Sequence, residues 1–183
     1  MIRSNNLGIK KIVSIALMTA VICVLSPFAI AIPMSPVPIT LTTFAIYLTA
    51  IILGGVDGLI SVIVYVLLGF AGAPVFIGFT GGALKVLGPT GGYIIGYIFL
   101  AIVEGAFVER ARGSAMIFVG MLLGTIVLYI FGTIWLMRQS VSTIVAAFIA
   151  GVVPFVIGDI VKMIVALFVG VKIRKILIRN NLI

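Results

Sequence analysis

Two oppositely charged residues lie inside an apolar stretch near the end of the sequence. Asp159 and Lys162 occur in the segment PFVIGDIVKMIVALF and are three residues apart, so a helix places both on one face. A charge at the centre of a bilayer costs about 2.5 to 3.5 kcal/mol on insertion scales, and such residues therefore rarely face lipid. Lysine binds carboxylates, and aspartate accepts hydrogen bonds from N–H groups. The two residues predict a site for a small polar or zwitterionic ligand; the alternative is that they only neutralise each other.

Aromatic and glycine-rich positions add candidates for ligand contact. Tyr93 follows the turn GPTGG, in which Thr90 and Gly91 are also candidates, and Trp135 lies near the outer end of the fifth apolar run. Either aromatic ring is able to stack on a ring of a ligand. Tyr and Trp are also enriched at membrane interfaces whatever the function, so anchoring at the interface is an equally good interpretation.

The residues needed for several other kinds of chemistry are missing from the sequence. There is no histidine, and Cys23 is the single cysteine, so the ligand clusters typical of zinc or di-iron sites cannot be assembled. The phosphate-binding pattern of two glycines separated by four residues, followed by Lys and Ser or Thr, is also absent. We therefore expect no cofactor and no ATP hydrolysis by this chain alone. An intramembrane enzyme that uses Asp159 with Glu104 or Lys162 is a distant alternative.

Composition places most of the chain in lipid. Hydrophobic residues make up 63% of the 183 residues and charged residues 9%, against about 45 to 50% and about 25% in a typical soluble domain. A soluble protein of this length needs more polar surface than these few charges supply. We expect a single transmembrane substrate-binding domain over residues 1–183, in contact with the lipid bilayer.

Glycine, proline and charged residues divide the apolar sequence into six runs, which predict an all-α integral membrane protein with six transmembrane helices. Full spanning takes about 20 apolar residues, so the second and third runs are short and are expected to tilt, end early or include loop residues. The six runs are Ile12–Ile32, Ile39–Leu53, Leu59–Phe70, Gly91–Val108, Ala115–Met137 and Val153–Val171.

The placement of the basic residues predicts the orientation of the chain. The formal net charge is +8, but the bases cluster at the ends of apolar runs, which is a pattern of membrane topology rather than of a nucleic-acid groove. With six spans, nine of the twelve bases lie on the side of both termini. Basic residues that flank spans stay preferentially in the cytoplasm. We therefore expect cytoplasmic termini, a location in the cell membrane and no nucleic-acid partner.

Two segments on the opposite, extracellular side are expected to be ordered. The segment Pro33–Thr43 reads PMSPVPITLTT, and its prolines favour an extended stretch. Thr43 and the threonines before it are able to bind a ligand or to cap the next helix. The segment Gly69–Gly92 is rich in glycine but keeps apolar residues such as Phe76. We expect it to fold back against the helices as a lid or re-entrant element, because bare backbone at membrane depth must be buried in protein.

Four stretches of the sequence closely resemble the BioY biotin transporters, the substrate-binding S components of energy-coupling-factor (ECF) uptake systems. They are PVPITLTT at 36–43, LGFAGAPVF at 68–76, GPTGGYIIGY at 88–97 and PFVIGDIVK at 154–162. They occur in order over nearly the whole chain, which makes the signal specific. One departure is Thr42, where the family usually has Gln, so the hydrogen bond of that amide is left to Thr43 or to water.

The resemblance implies a function and partners. An S component of this kind has six membrane helices and binds biotin toward the outside. It releases biotin inward with a transmembrane coupling subunit and two ATPase subunits, which alone use ATP. The resemblance implies that Asp159 and Lys162 contact the vitamin. It also implies that Ala16 and Ala20 form a docking surface for the coupling subunit, since small side chains let another helix approach closely. An S component for riboflavin or thiamine is the nearer alternative.

Overall fold

The computed structural model describes residues 3–30, 37–139, 143–180 and 182, and for residues 3–7 and 30 it describes the backbone alone. The described residues are mainly helical, as expected, with one two-stranded antiparallel ribbon. In that ribbon Ala29 pairs with Thr40 and Ile30 with Ile39. The elements in chain order are α1 (Arg3–Leu25), β1 (Ala29–Ile30), β2 (Ile39–Thr40), α2 (Thr42–Leu53), α3 (Gly55–Phe70), α4 (Ala83–Leu87), α5 (Gly91–Arg110), α6 (Ser114–Gln139), α7 (Ile144–Gly151) and α8 (Val156–Arg179).

Each of the six predicted apolar runs overlaps a helix, and these helices are α1, α2, α3, α5, α6 and α8. The helix α1 begins at Arg3, nine residues before the predicted run. The helix α1 ends at Leu25 instead of continuing toward Ile32, a residue that lies outside the described part of the chain. Pro27 explains this end, since a proline disfavours the helical conformation of the residue before it. The helix α8 continues past Val171 to Arg179, through basic residues that are good helix formers. The short helices α4 and α7 have no counterpart among the predicted runs.

Three helices of the described chain are long and apolar enough to cross a membrane, and they contain Gly8–Leu25, Gly91–Arg110 and Ser114–Gln139. A fourth candidate arises if α7 and α8, which are bent by 45° at a short break, are taken as one span. The helices α2 and α3 are apolar but have only 12 and 16 residues. At 1.5 Å per residue they measure about 18 and 24 Å, less than the roughly 30 Å of a bilayer core. The count of six spans and the side of the termini therefore stay predictions.

The short helix α2 lies at the centre of the bundle. Ten of its 12 residues are buried, and it packs against α1, α3, α5 and α8. Its Tyr47 hydroxyl lies 2.6 Å from the Thr125 hydroxyl of α6. A helix that is apolar all round is one that other helices enclose. Because its neighbours surround it, α2 need not be long enough to span the membrane by itself.

The helix α8 runs parallel to α2 and contacts both of its ends. Near the start of the two helices, Thr43 donates a hydrogen bond to Asp159. Near their ends, the Arg174 guanidinium donates to the carbonyl oxygens of Ile51 at 2.8 Å and Ile52 at 3.2 Å. Carbonyl groups in the last turn of a helix lack partners within that helix, and a cation beside them is favourable. Arg174 therefore caps α2 from the neighbouring helix.

The glycine-rich segment Gly69–Gly92 folds back onto the bundle, as the sequence predicts. The backbone amide of Gly78 donates to the carbonyl oxygen of Pro27 at 2.9 Å. The Phe76 ring is buried and meets the ring of Tyr65 in α3 edge-on, with the ring centroids 5.6 Å apart. The apolar residues that distinguish this segment from a flexible linker thus hold it against the helices.

Close approach of α3 and α5 depends on two glycines, which leads to a prediction for Gly105→Ala. A Cβ at Gly105 would lie 2.8 Å from the Cα of Gly55, so the two helices would have to separate. We expect thermal unfolding in detergent at a lower temperature, with a loss of about 1 to 3 kcal/mol, the usual cost of overpacking. Gly8→Ala is the control, because nothing lies within 4 Å of its Cβ position and alanine favours a helix. If Gly105→Ala proved as stable as Gly8→Ala, the close crossing would be disproved.

Candidate functional site

A cavity lies among the first turns of α2 and α8, the first half of α5 and the middle of α6. The cavity volume is about 40 Å³, and the empty space between its walls is about 490 Å³ when the open solvent at its mouth is included. Among the residues that line it, Asp159 and Lys162 are the charged ones, and most of the others are apolar or aromatic. A mainly apolar wall with a few placed polar groups is typical of sites for small organic ligands. The residues that matter most for its chemistry are Thr43, Tyr93, Tyr97, Tyr129, Asp159 and Lys162.

Asp159 is the centre of a hydrogen-bonded group on the wall of this cavity. Lys162 Nζ donates to Asp159 Oδ1 at 2.8 Å, and Thr43 Oγ1 donates to the same oxygen at 3.1 Å. Tyr129 OH donates to the other oxygen, Oδ2, at 2.5 Å. The side chains of Asp159 and Lys162 are only 6% and 13% exposed. The two residues therefore pair with each other, as in the alternative given above, and the pair belongs to a larger polar network in which burial strengthens each bond. Contact of the pair with a ligand stays a prediction.

Three helices bring these groups together. Asp159 lies in the first turn of α8, where the positive end of the helix dipole favours a carboxylate. Pro154 lies in the break between α7 and α8, at which the two helices are bent by 45°. A proline cannot continue a helix without losing a hydrogen bond, so α8 starts afresh just before Asp159. Lys162 follows one turn later on the same face, while Thr43 is the second residue of α2 and Tyr129 lies in the middle of α6.

Tyr93 and Tyr97, one turn apart in α5, both line the cavity. The Tyr93 hydroxyl donates to the carbonyl oxygen of Gly151 at 3.0 Å and so joins α5 to the end of α7. A Cβ at Gly132 or Gly151 would collide with the Tyr93 side chain, so these two glycines provide its space. Thr90 lines the same cavity. Tyr93 and Thr90 therefore both line the cavity, and Tyr93 has a packing role as well. Their contact with a ligand stays a prediction.

Two other predicted contact residues lie outside the lining of this cavity. The Trp135 Nε1–H group donates to the carbonyl oxygen of Gly88 at 2.9 Å, and a Cβ at Gly92 would collide with the Trp135 side chain. Trp135 therefore holds the GPTGG turn against α6. Gly91 approaches the carbonyl group of Val86 so closely that no side chain fits there. Direct contact of Trp135 or Gly91 with a ligand stays a prediction.

The proline-rich segment contributes its last part to the cavity. Val37, Pro38 and Thr40 are among the lining residues, whereas residues 33–36 of the predicted extended stretch lie outside the described part of the chain. Thr42 is buried, and its backbone amide donates to Thr40 Oγ1 at 3.1 Å. Thr42 is not one of the lining residues, so Thr43 is the threonine of α2 that reaches the cavity.

The sequence patterns do not single out Tyr129, Tyr97 or Phe155, although all three line the cavity. One signal was available for Tyr129, which lies in the middle of an apolar run. A phenol group at membrane depth needs a hydrogen-bond partner, so such a tyrosine indicates a nearby acceptor. Its partner, Asp159, is 30 residues away and becomes evident only when the packing of α6 against α8 is known.

Glu104, the second acid of the enzyme alternative, lies outside this site. It is fully buried in α5, and neither of its carboxylate oxygens has a hydrogen-bond partner among the described residues. No group of three or more His, Cys, Asp or Glu that could hold a metal ion occurs in the described ranges. The site therefore combines one carboxylate with one ammonium group, which suits a ligand that carries both hydrogen-bond donors and acceptors.

Comparison with known proteins shows the family to which this chain belongs. A family model described as the BioY family matches residues 2–179. A Thermotoga maritima protein named "Biotin transporter BioY" is 39% identical over 147 residues, which cover 80% of this chain and 86% of the relative. A Pyrococcus horikoshii protein named "Probable biotin transporter BioY" is 36% identical over 165 residues, which cover 90% of this chain and 96% of the relative.

A solved structure is also similar to this chain over nearly its full length. It is described as the S-component for biotin from an ECF-type ABC transporter, and it matches with a TM-score of 0.87 and 34% sequence identity. The match covers 93% of this chain and 94% of the solved one. The helical arrangement described above is therefore that of an S component.

The buried ion pair predicts the stability of variants without any ligand. Lys162→Met leaves Asp159 buried without its cation, and removing one partner of a buried pair costs about 3 to 5 kcal/mol. Combining Lys162→Met with Asp159→Asn should recover most of that loss, because no unpaired charge is left. Thermal unfolding in detergent measures the loss of stability in Lys162→Met, in Asp159→Asn and in the double variant. If the loss of stability in the double variant equalled the sum of the two single losses, Asp159 and Lys162 would not be directly coupled.

Proposed function

Since this chain belongs to the BioY family, we propose that it is the biotin-binding subunit, or S component, of an ECF-type vitamin uptake transporter. Its function is transport and not catalysis, in line with the relatives, which are named as transporters. The single observation that carries the proposal for biotin is the similarity, over 93% of this chain, to the S-component for biotin. The buried pair of Asp159 and Lys162 on the wall of an aromatic-lined cavity suits such a ligand.

The short distance within this pair favours one end of biotin. Lys162 Nζ and Asp159 Oδ1 are 2.8 Å apart, so both groups meet the same part of a ligand. The ureido ring of biotin carries two N–H donors next to a carbonyl acceptor. Asp159 accepts a hydrogen bond from the N–H side and Lys162 donates to the carbonyl oxygen. The aromatic and apolar wall then surrounds the fused rings and the aliphatic chain.

The proposed topology has six spans, with both termini in the cytoplasm and the chain in the cell membrane. Nine of the twelve bases lie on the side of the termini in this arrangement, as the positive-inside rule requires. The parallel course of α2 and α8, seen in their contacts at both ends, supports it because the second and sixth spans of such a chain run in the same direction. The biotin cavity then lies toward the outside.

The proposed partners are a transmembrane coupling subunit and two ATPase subunits, which supply the energy for release of biotin inward. Ala16 and Ala20 are both exposed on the outer face of α1. Exposed large residues of the same helix, Ile12, Leu17 and Val24, surround them. Two small side chains among large ones form a shallow groove, which lets a helix of the coupling subunit pack closely.

The proposed function predicts which variants lose affinity for biotin. Asp159→Asn and Lys162→Ala should each weaken binding by about 1.5 to 3 kcal/mol, the range for a hydrogen bond to a charged group. Titration calorimetry on the purified chain in detergent measures the change, and Lys85→Ala, outside the cavity lining, is the control. Unchanged affinity of both variants would remove the pair from the site.

Biotinamide, which lacks the carboxylate, tests which end of biotin meets Lys162. We expect Lys162→Ala to weaken biotin and biotinamide by the same factor. A much smaller effect on biotinamide would assign Lys162 to the carboxylate instead.

Mass spectrometry of the small molecule that co-purifies with the chain distinguishes biotin from riboflavin or thiamine.

The proposed docking of the coupling subunit on α1 also leads to a prediction. Ala16→Leu with Ala20→Leu should abolish biotin uptake and co-purification with the coupling subunit, because the bulky side chains fill the groove. Biotin binding to the isolated chain should stay unchanged. Ala146→Leu, at an exposed alanine of α7, is the control. If the α1 double variant lost biotin binding as well, these alanines would be part of the packing and not a docking surface.

A further inference from the structure

A second cleft lies at the opposite end of α8 from the Asp159 site, beside the start of α6. Its volume is about 260 Å³. Lys172 and Lys175 are both exposed, line this cleft and lie one turn apart on α8. Thirteen residues of helix, about 20 Å, separate Lys172 from Asp159, so the cleft is distinct from the ligand cavity.

The two lysines have no acidic partner within the described part of the chain. The sequence has only four acidic residues against twelve basic ones. All four are engaged elsewhere: Asp57 pairs with Lys11 at 3.3 Å, Asp159 pairs with Lys162 at 2.8 Å, Glu104 is fully buried, and the Glu109 carboxylate lies against Gly55. Two adjacent ammonium groups without an internal counterion attract an anion from outside the chain.

The apolar side of the cleft indicates what kind of anion fits. Phe168, one turn before Lys172, is 74% exposed, and Leu167 and Val171 continue the same wall. On a helix of a membrane protein such a surface faces acyl chains. Ser114, the first residue of the 26-residue helix α6, lies on the other wall, where the positive end of the helix adds to the attraction for an anion.

We propose that this cleft binds an anionic phospholipid. Lys172 and Lys175 hold the phosphate of the headgroup, and an acyl chain lies along Phe168. Basic pockets between membrane helices bind anionic headgroups in this way. A lipid is favoured over a free phosphate because the charged part of the cleft is continuous with exposed apolar surface. The bound lipid anchors the last turns of α8 at the level of the headgroups.

Native mass spectrometry of the purified full chain in detergent tests the proposal with dioleoyl phosphatidylglycerol and dioleoyl phosphatidylcholine. The native chain should bind phosphatidylglycerol in preference to phosphatidylcholine. The double variant K172Q/K175Q should lose this preference and bind phosphatidylglycerol about 10-fold more weakly or worse, since each base near the headgroups contributes separately. Unchanged biotin binding by the double variant shows that it is folded. Equal binding of the two lipids by the native chain would overturn the proposal.

The matched control K85Q/R138Q removes the same charge at the opposite end of the bundle and should keep the preference. An equal loss in both double variants would show unspecific attraction and overturn the proposal.

The variant F168S, which keeps every charge, separates a lipid from a free phosphate. It should also weaken phosphatidylglycerol binding, and glycerol phosphate should not compete. Competition by glycerol phosphate would indicate a site for a free phosphate group and contradict a lipid site. If K172Q/K175Q no longer co-purified with the coupling subunit but bound phosphatidylglycerol normally, the cleft would be a protein interface and the lipid proposal would be wrong.

Discussion

The buried carboxylate of Asp159 is the constraint on which the rest of the structure depends. A charge enclosed by apolar helices is costly unless several donors satisfy it. Lys162, Thr43 and Tyr129 provide these donors. Because they come from α8, α2 and α6, the single charge fixes how three helices face one another. The same carboxylate lines the cavity, where N–H groups of a ligand are able to take the place of some of these donors.

The position of α2 links this site to the other end of the bundle. The helix is too short to reach across a bilayer core by itself, and it is enclosed by its neighbours. The helix α8 contacts α2 through Asp159 near one end and through Arg174 near the other. A ligand that replaces the hydrogen bond between Thr43 and Asp159 therefore changes the contact between α2 and α8 directly.

The distribution of charge separates two functions along α8. Near its start a carboxylate and an ammonium group are paired and almost fully buried, which suits selective binding of a small neutral group. Near its end Lys172, Lys175 and Arg179 are exposed, whereas Arg174 is half-buried and caps α2. The exposed bases suit contact with the anionic surface of a membrane. The shortage of acidic residues makes this separation possible, because the few carboxylates are used elsewhere.

The sequence by itself determined the helical, apolar character of the chain, the places of its six main helices and the shared face of Asp159 and Lys162. These features depend on transfer of side chains into lipid and on the period of a single helix, which are local properties of the sequence. Only the tertiary structure decided that Thr43 and Tyr129, 116 and 30 residues away, bind Asp159. It also decided that Trp135 binds the Gly88 carbonyl outside the cavity lining. Such contacts depend on how each helix is rotated and packed against distant ones, which many side chains determine together.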